Sequence, residues 1–367
     1  MHSISNYQDL KKVLGSYTQS QQNKAATIGL LTYSGLDPLQ TIPEMCYLLQ
    51  YLYGLVSCGF FWSDANGDMI DAWCLAPSFL SFKTLMSCRE YQESATRSWP
   101  TFQENVLRGP VAGYLLPFQN ERFYASPHFQ VSYNSIRARH IMDVVLHDGI
   151  RPYGAFLLMR SDEQGPFNPD ERKQLESLIP IMTAAFLQTP ARRAQYAERE
   201  STGVALASAD GSYKTLSEEA RRIVWMITHE EAGSFANPND PSIETHFERL
   251  VAQDREQWQQ SFTCEIERRN RWGHFHIKYE HEPQSGDLIV VFSRKIPLIS
   301  RLALQVARFS WPPMRQIVAI LLAQDLSRKQ IALALGLSVE TVTSHIKRIY
   351  KDTGSASSHT LLFRLTA

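Results

Sequence analysis

The sequence predicts a multidomain α+β protein: two mixed regions, a GAF-like α/β one and a PAS-like α+β one in the terms justified below, followed by an all-α terminal module of four helices. Three observations predict it. At 367 residues the chain exceeds one ordinary domain, so two or three are expected. Up to about residue 295, short apolar runs joined by turn residues alternate with amphipathic helical stretches; beyond that point apolar residues recur only at helical spacing. Charge follows the same division, because residues 298–367 hold nine Lys or Arg against three Asp or Glu, which leaves +6 there and −6 on the rest of a formally neutral chain. A basic terminal module beside an acidic body suits one nucleic-acid contact carried by a protein that also does something else.

The first region opens with a stretch over residues 38–57 that reads as largely helical, with two starts open: Asp37-Pro38, an acidic cap before an N1 proline, or the turn just before Pro43. Cys58-Gly-Phe-Phe-Trp-Ser63 reads as a buried strand, and the Asn66-Gly67 turn returns it into Met69–Leu75 as a hairpin. Residues 138–146 and 153–160 form a second strand pair around His147-Asp-Gly-Ile-Arg-Pro152. Asn168-Pro169-Asp170-Glu171 then caps an amphipathic helix that buries Leu175, Leu178, Ile179, Met182 and Phe186. Helix, hairpin, variable middle, hairpin, helix, with the wording Gly149-Ile-Arg-Pro-Tyr-Gly154-Ala-Phe-Leu-Leu, resembles a GAF domain over residues 25–189. The resemblance implies a small-molecule site between the sheet and what covers it. The middle of this region is rich in aromatics, Phe79, Phe82 and Tyr91 among them, and the candidate ligand contacts are Trp62, Trp73, Trp99, Phe102, Tyr114, Phe123 and Tyr133. Any one of these rings also serves core packing. His128, Ser63 and Arg89 are among the polar groups that could orient a ligand.

Residues 191–200 read as a charged connector after Pro190. Residues 203–209 and 212–217 then form a hairpin around Asp210-Gly211, leading into a helix with Ala220, Ile223, Val224 and Ile227 on one side. A helix-rich stretch over 244–259 precedes three strand-like runs at 262–268, 273–281 and 288–292. That order is similar to a PAS domain over residues 200–295, the alternative being an irregular coupling domain. His274 and His276 alternate along one strand and share a face, which is more often structural than metal-binding; no metal site and no cofactor are expected. Residues 296–308 form a linker helix with Leu298, Leu302 and Val306 on a common side.

The terminal module, residues 309–367, carries the chemistry. Ile331, Ala332 and Leu335 share one helical face, Gly336 lets the chain leave that helix, and Ser338 can cap the next. Val342, Ile346 and Ile349 bury one stripe of the second helix and leave Thr343, Ser344, Lys347, Arg348 and Lys351 outside. Two short helices at this spacing are a helix-turn-helix, and short hydroxyls with long cations on an exposed helix can reach base edges and phosphates in a major groove. The words Leu321-Leu-Ala-Gln-Asp-Leu-Ser327, Lys329-Gln-Ile-Ala332, Leu335-Gly-Leu-Ser338, Thr341-Val342 with His345, and Gly354 resemble the DNA-binding domain of LuxR and FixJ type transcription factors. By that resemblance Ser327 to Leu335 is the scaffold helix, Val339 to about Thr353 the recognition helix, and Ser358 to Leu365 the usual dimer contact. The candidate DNA-binding residues are Ser338, Thr341, Thr343, Ser344, Lys347, Arg348 and Lys351. Three positions depart from the family pattern: Met314-Arg315 where an Arg-Glu pair is usual, Thr343 in place of lysine, and Asp325 in place of glycine.

Five cysteines without a CxxC pair read as reduced cytosolic thiols, and the start of the chain shows no secretion signal, so a cytoplasmic location is expected. The apolar run 42–62 is interrupted by Pro43, Glu44, Gln50 and Gly54 and is not expected to span a membrane. No nucleophile elbow, phosphate loop or His-Glu-x-x-His is present, so no catalytic residue is assigned. No acidic cluster of a phosphorylated receiver appears in residues 1–60, and the Trp-x-x-x-Tyr and Asp-Pro pattern of acyl-homoserine-lactone domains is not recognisable in residues 50–110. The expectation is a homodimeric, non-enzymatic regulator that binds double-stranded DNA under control of a small-molecule effector, with RNA polymerase as a candidate partner. The alternatives are a constitutive DNA-binding scaffold that dimerises and recruits polymerase, and a metabolite enzyme tethered to DNA.

Overall fold

The computed structural model describes residues 10, 14–15, 19–75, 93, 99–188, 195–229 and 242–366. Phe79, Phe82, Arg89 and Tyr91 lie outside the described residues, as does the first part of the expected 191–200 connector.

The chain opens on helix α1 (Gln19–Thr32) and α2 (Pro38–Tyr53). Of the two possible starts for α2, the earlier is used: Asp37 caps it by accepting the Leu39 N–H at 2.9 Å, Pro38 sits at N1, and Pro43 lies inside the helix. Strands β1 (Ser57–Ser63) and β2 (Met69–Cys74) form the first hairpin. Short helices α3 (Phe102–Val106), α4 (Glu121–Tyr124) and α5 (Pro127–Ser132), with the two-residue strand β3 (Val111–Ala112), lead to β4 (His140–His147), β5 (Pro152–Arg160) and the long helix α6 (Pro169–Leu187). The five strands form an antiparallel sheet in the order β2-β1-β5-β4-β3.

Both faces of this sheet are covered, which is why its central strands read as unbroken apolar runs. Register places Trp73, Phe60, Phe156, Val144 and Ala112 in one row across all five strands. That row meets the long helices, as when Phe60 stacks on Phe186 of α6 with ring centroids 5.9 Å apart. The opposite face presents Phe61, Ala155, Val145, Ile141 and Met159 to the segment 99–136. Helix α6 is fixed by the capping box between Asn168 and Glu171, and by Arg160, whose guanidinium grips both Glu171 carboxylate oxygens at 2.7 and 3.0 Å and the Tyr53 carbonyl. Burial raises the Glu171 carboxyl, but the Arg160 hydrogen bonds, the Asn168 N–H and the nearby charges outweigh it and hold the group below its usual range.

The second sheet repeats the strand order of the first. Strands β6 (Tyr196–Ala207), β7 (Tyr213–Leu216), β8 (Thr263–Asn270), β9 (Gly273–His281) and β10 (Leu288–Pro297) pair antiparallel as β7-β6-β10-β9-β8. One face is covered by α7 (Glu218–Thr228), α8 (Ile243–Gln253) and the short α9 (Arg255–Trp258), while β8 alternates exposed and half-buried residues along its whole length. Gly203 lets α7 lie directly on β6, since a Cβ there would come 2.1 Å from the Ala220 nitrogen. His274 and His276 face Glu267 and Glu265 across the β8–β9 pair at 3.2 and 3.4 Å.

Two expectations need correction. Residues 196–200, expected as connector, already belong to β6, because they complete its pairing with the far end of β10; Glu200 lies opposite Lys295 and Tyr196 opposite Pro297. The linker helix α10 (Leu298–Val306) begins two residues later than expected, since Ile296 and Pro297 finish β10.

The terminal module comprises α11 (Pro313–Ala323), α12 (Arg328–Leu335), α13 (Val339–Thr353) and α14 (Ser358–Thr366). It is packed onto the body through α1, which lies against α6, α10 and α11. A buried hydrogen bond from the Thr27 hydroxyl to the Gln316 side-chain oxygen at 3.0 Å ties α1 to α11. The two sheets are joined by Trp272, which meets Trp62, Trp73 and Trp225 at centroid distances of 5.7, 6.4 and 5.1 Å, and by the buried pair Glu44–Arg294 at 2.9 Å.

Candidate nucleic-acid interface

The helix pair that reads DNA is built from caps. Ser327 and Gln330 form a capping box at the start of α12, and Gly336 ends that helix with φ of 57°, a left-handed conformation that costs a glycine nothing. Ser338 then caps α13 by accepting the Thr341 N–H at 3.1 Å, and its hydroxyl lies 3.1 Å from that of Thr341. Val342, Ile346 and Ile349 are buried against α11 and α12, which fixes the rotation of α13 about its own axis.

That rotation decides what faces outward. Thr341, Ser344, Lys347, Arg348 and Lys351 are exposed, and Ser344, Lys347 and Lys351 fall at spacings of three and four on one stripe. Thr343 is half-buried and donates its hydroxyl to the Val339 carbonyl at 2.8 Å, so it is partly committed to the helix. Ser338 and Thr341 stand at the entrance, with their hydroxyls engaged in the cap. His345 is half-buried beside this stripe; burial, together with the Arg315 and Arg348 charges, holds its imidazole below the usual range and therefore neutral near pH 7.

Residues the sequence did not single out hold the far end of α13. Asp352 accepts from the Trp311 indole at 2.8 Å and pairs with Arg315 at 3.2 Å. Arg315, which sequence marks only as a departure from the Arg-Glu pattern, thus anchors the recognition helix to α11. Asp325, standing where glycine is usual, adopts φ of 63°, which gives the family's preference a physical cause. Its carboxylate also accepts from the Ser358 hydroxyl at 3.2 Å, a local compensation that glycine could not supply.

The seven candidate ligand contacts do not converge. Trp62 and Trp73 lie on the face of the first sheet that meets the helices and Trp272. Phe102 packs on Phe61 from the opposite face, where Trp99, Phe123 and Tyr133 gather with His128 and Phe129; Trp99 and Phe123 are 4.4 Å apart by centroid. Tyr114 stands apart, edge-on to Phe118 with the Arg108 guanidinium over its ring at 4.0 Å. The sheet itself separates the two main groups, a division that no sequence spacing could announce without register. Burial pushes the His128 imidazole down to about 4, so it is a neutral member of the aromatic layer. Trp62 also lines a cleft of about 310 Å³ with Ser63, Tyr153, Phe186 and Arg271, where the Trp62 indole N–H and the Ser63 hydroxyl make no hydrogen bond to the described residues.

The capped helix pair, the buried stripe and the basic outer face define a helix-turn-helix DNA-binding domain. Residues 315–357 match the family model of bacterial regulatory proteins, luxR family, so the terminal module is a LuxR-type domain and the chain carries the DNA-binding part of such a regulator. No curated protein matches the chain. Solved structures that overlap it include the phage VqmA–DPO complex, at 17% identity over 44% of this chain and 81% of that one with a TM-score of 0.19. The Vibrio cholera VqmA–ligand–DNA complex overlaps at 11% identity over 45% and 81% with a TM-score of 0.23. VqmA bound to DPO overlaps at 13% identity over 45% and 80% with a TM-score of 0.17. Superpositions this loose define no common arrangement. Among the described residues, no helix is long and apolar enough to cross a membrane.

Proposed function

We propose that this protein is a cytoplasmic, homodimeric transcriptional regulator in which a GAF-like N-terminal domain binds a small molecule, a PAS-like middle domain relays it, and the LuxR-type module binds double-stranded DNA. The observation that carries the reading is the outward stripe of Ser344, Lys347 and Lys351 on a helix whose own module is packed against α1 of the body. The body thus holds the DNA-reading unit while leaving its reading face open. The shared strand order supports kinship between the two sheet domains. The aromatic layer of Trp99, Phe102, Phe123 and Tyr133 is the surface on which a small molecule would be received, with Trp62, Trp73 and Tyr114 outside it. The exposed Phe363 on α14 supports self-association through that helix, whose Leu361 and Leu365 are turned inward.

Ser344 and Lys347 read base edges in this scheme, whereas Arg348 and Lys351 contact phosphates; base contacts set sequence choice and phosphate contacts set affinity and salt dependence. Lys347→Ala is expected to weaken a selected operator by about 1–3 kcal/mol with reduced discrimination. Lys351→Ala should weaken all duplexes alike and lower the salt slope by about one. Gel-shift titrations of full-length protein against DNA selected from a genomic library check both. Parental affinity in both variants would remove α13 from the interface.

A further inference from the structure

The Glu44–Arg294 pair sits at the wall of a cavity of about 250 Å³ where three parts of the molecule meet: α1 and α2 of the first domain, β6 and β10 of the second, and the linker helix α10. Arg294 is 4% exposed. One terminal nitrogen, Nη1, donates to Glu44, and the other edge of the guanidinium, Nε and Nη2, has no hydrogen-bond partner among the described residues. Ser300, 8% exposed on α10, brings a hydroxyl into the same wall that likewise lacks a partner among those residues. Buried donors without acceptors cost free energy, so a guanidinium edge held in this way is a standing demand for an acceptor. The Nε–Nη2 edge is the two-donor fork whose spacing fits the two oxygens of a carboxylate.

We infer that this cavity is a binding site for a small monocarboxylate, gripped in bidentate fashion by the Nε–Nη2 edge of Arg294 with the Ser300 hydroxyl as a third contact. The charge balance favours one negative charge, because the wall carries two guanidinium groups, Arg294 and Arg301, against the single carboxylate of Glu44. A dicarboxylate would bring its second charge toward Glu44. The rest of the lining, including Leu48 and Leu304, is apolar and receives a short hydrocarbon or aromatic body. Being smaller than drug-sized pockets of about 300–1,000 Å³, the cavity suits a ligand of about six to ten non-hydrogen atoms. The occupant would bridge the first domain to α10, whose Arg301 donates to the Thr366 carbonyl at the end of α14, so binding is felt in the DNA-binding module. Only that last consequence rests on the regulator reading; the site does not.

The test is calorimetric titration of the full chain with hexanoate and benzoate, using hexanamide, benzamide and succinate as controls, beside DNA binding measured by anisotropy. The expected result is saturable binding of a monocarboxylate, at least about tenfold weaker for its amide and for succinate. The double variant Glu44→Gln/Arg294→Gln exchanges the buried ion pair for an amide pair, and Leu304→Trp fills the cavity while leaving the pair intact. Each is expected to lose at least about tenfold in carboxylate affinity while keeping its thermal transition and DNA binding. The proposal is overturned if neither acid binds the folded parent up to about 10 mM. It is equally overturned if acid and amide bind alike, or if the folded variants bind as the parent does. Carboxylate binding that persists in a protein with no affinity for DNA would retain the site and discard the regulator.

Discussion

The two five-stranded sheets share one strand order and differ in how they are covered. In the first, β1 is buried at every position and β4 and β5 at nearly every one, with long helices on one face and an aromatic layer on the other. In the second, helices cover one face only and β8 alternates with the pleat. A sheet sandwiched on both sides keeps its second face dry and can shape it for another molecule, whereas a sheet with one open face has a scaffold's economy. The difference assigns reception to the first domain and transmission to the second.

Substitution at matched depth is the strongest way to break this comparison. Phe156→Ala, in the central row of the first sheet, is expected to cost about 3–5 kcal/mol in urea denaturation of the full chain. Val204→Ala, on the open face of the second sheet and 48% exposed, should change stability by less than about 0.5 kcal/mol. Similar losses at both positions would end the distinction between the faces.

Acid should sharpen it next. His128 titrates near 6.5 when unfolded and at about 4 in the folded aromatic layer, so its contribution is fully present above pH 6.5 and is lost as pH falls toward 4. That loss amounts to about 3 kcal/mol, because each tenfold change in proton affinity is worth about 1.36 kcal/mol. In the second sheet His274 is also pushed down, by burial and by the Arg269 charge, but Glu267 opposes this, and the acid response there should be weaker. Thermal unfolding of His128→Phe between pH 7 and 4 checks the assignment: a variant that loses stability with acid as steeply as the parent would contradict it.

The smallest effect concerns the seam. Arg271 joins Asp37 at 3.1 Å but is half exposed, so Arg271→Ala should cost only about 0–1 kcal/mol and should fade with added salt. A larger loss, measured by the same denaturation, would mean that the domains are held by that exposed pair rather than by Trp272 and the buried Glu44–Arg294 contact.

Much of this was readable because local chemistry and global fold agree. Ser327, Gly336, Ser338 and Gly354 mark helix ends by the hydrogen bonds they alone can make, and the helix-turn-helix emerged from them nearly residue for residue. The hairpin at Asn66-Gly67 and the capped start of α6 were legible for the same reason. Helix α1 was not. From Ala25 to Thr32 it is buried on all sides, so it has no polar face to set a period, and an unbroken apolar run fits helix and strand equally. The aromatic candidates failed to converge because a strand sends alternate residues to opposite sides, and only the register of five strands shows which ring lies on which side. Glu44 looked like an interruption in an apolar run; its partner is 250 positions away in the chain, beyond any reading by spacing.

The junction of β10 with α10 carries one more consequence. Strand and helix meet at Pro297 and Leu298 with no loop between them, so the last strand of the second sheet and the shaft that leads to the DNA-binding module are mechanically one piece. Such a joint has no slack. A twist of the sheet becomes a turn of the shaft, and a single residue inserted there would rotate everything beyond it by about 100° and advance it by about 1.5 Å. The length of the chain at this point is therefore a tuned quantity, a gear ratio between the body and the DNA it would address.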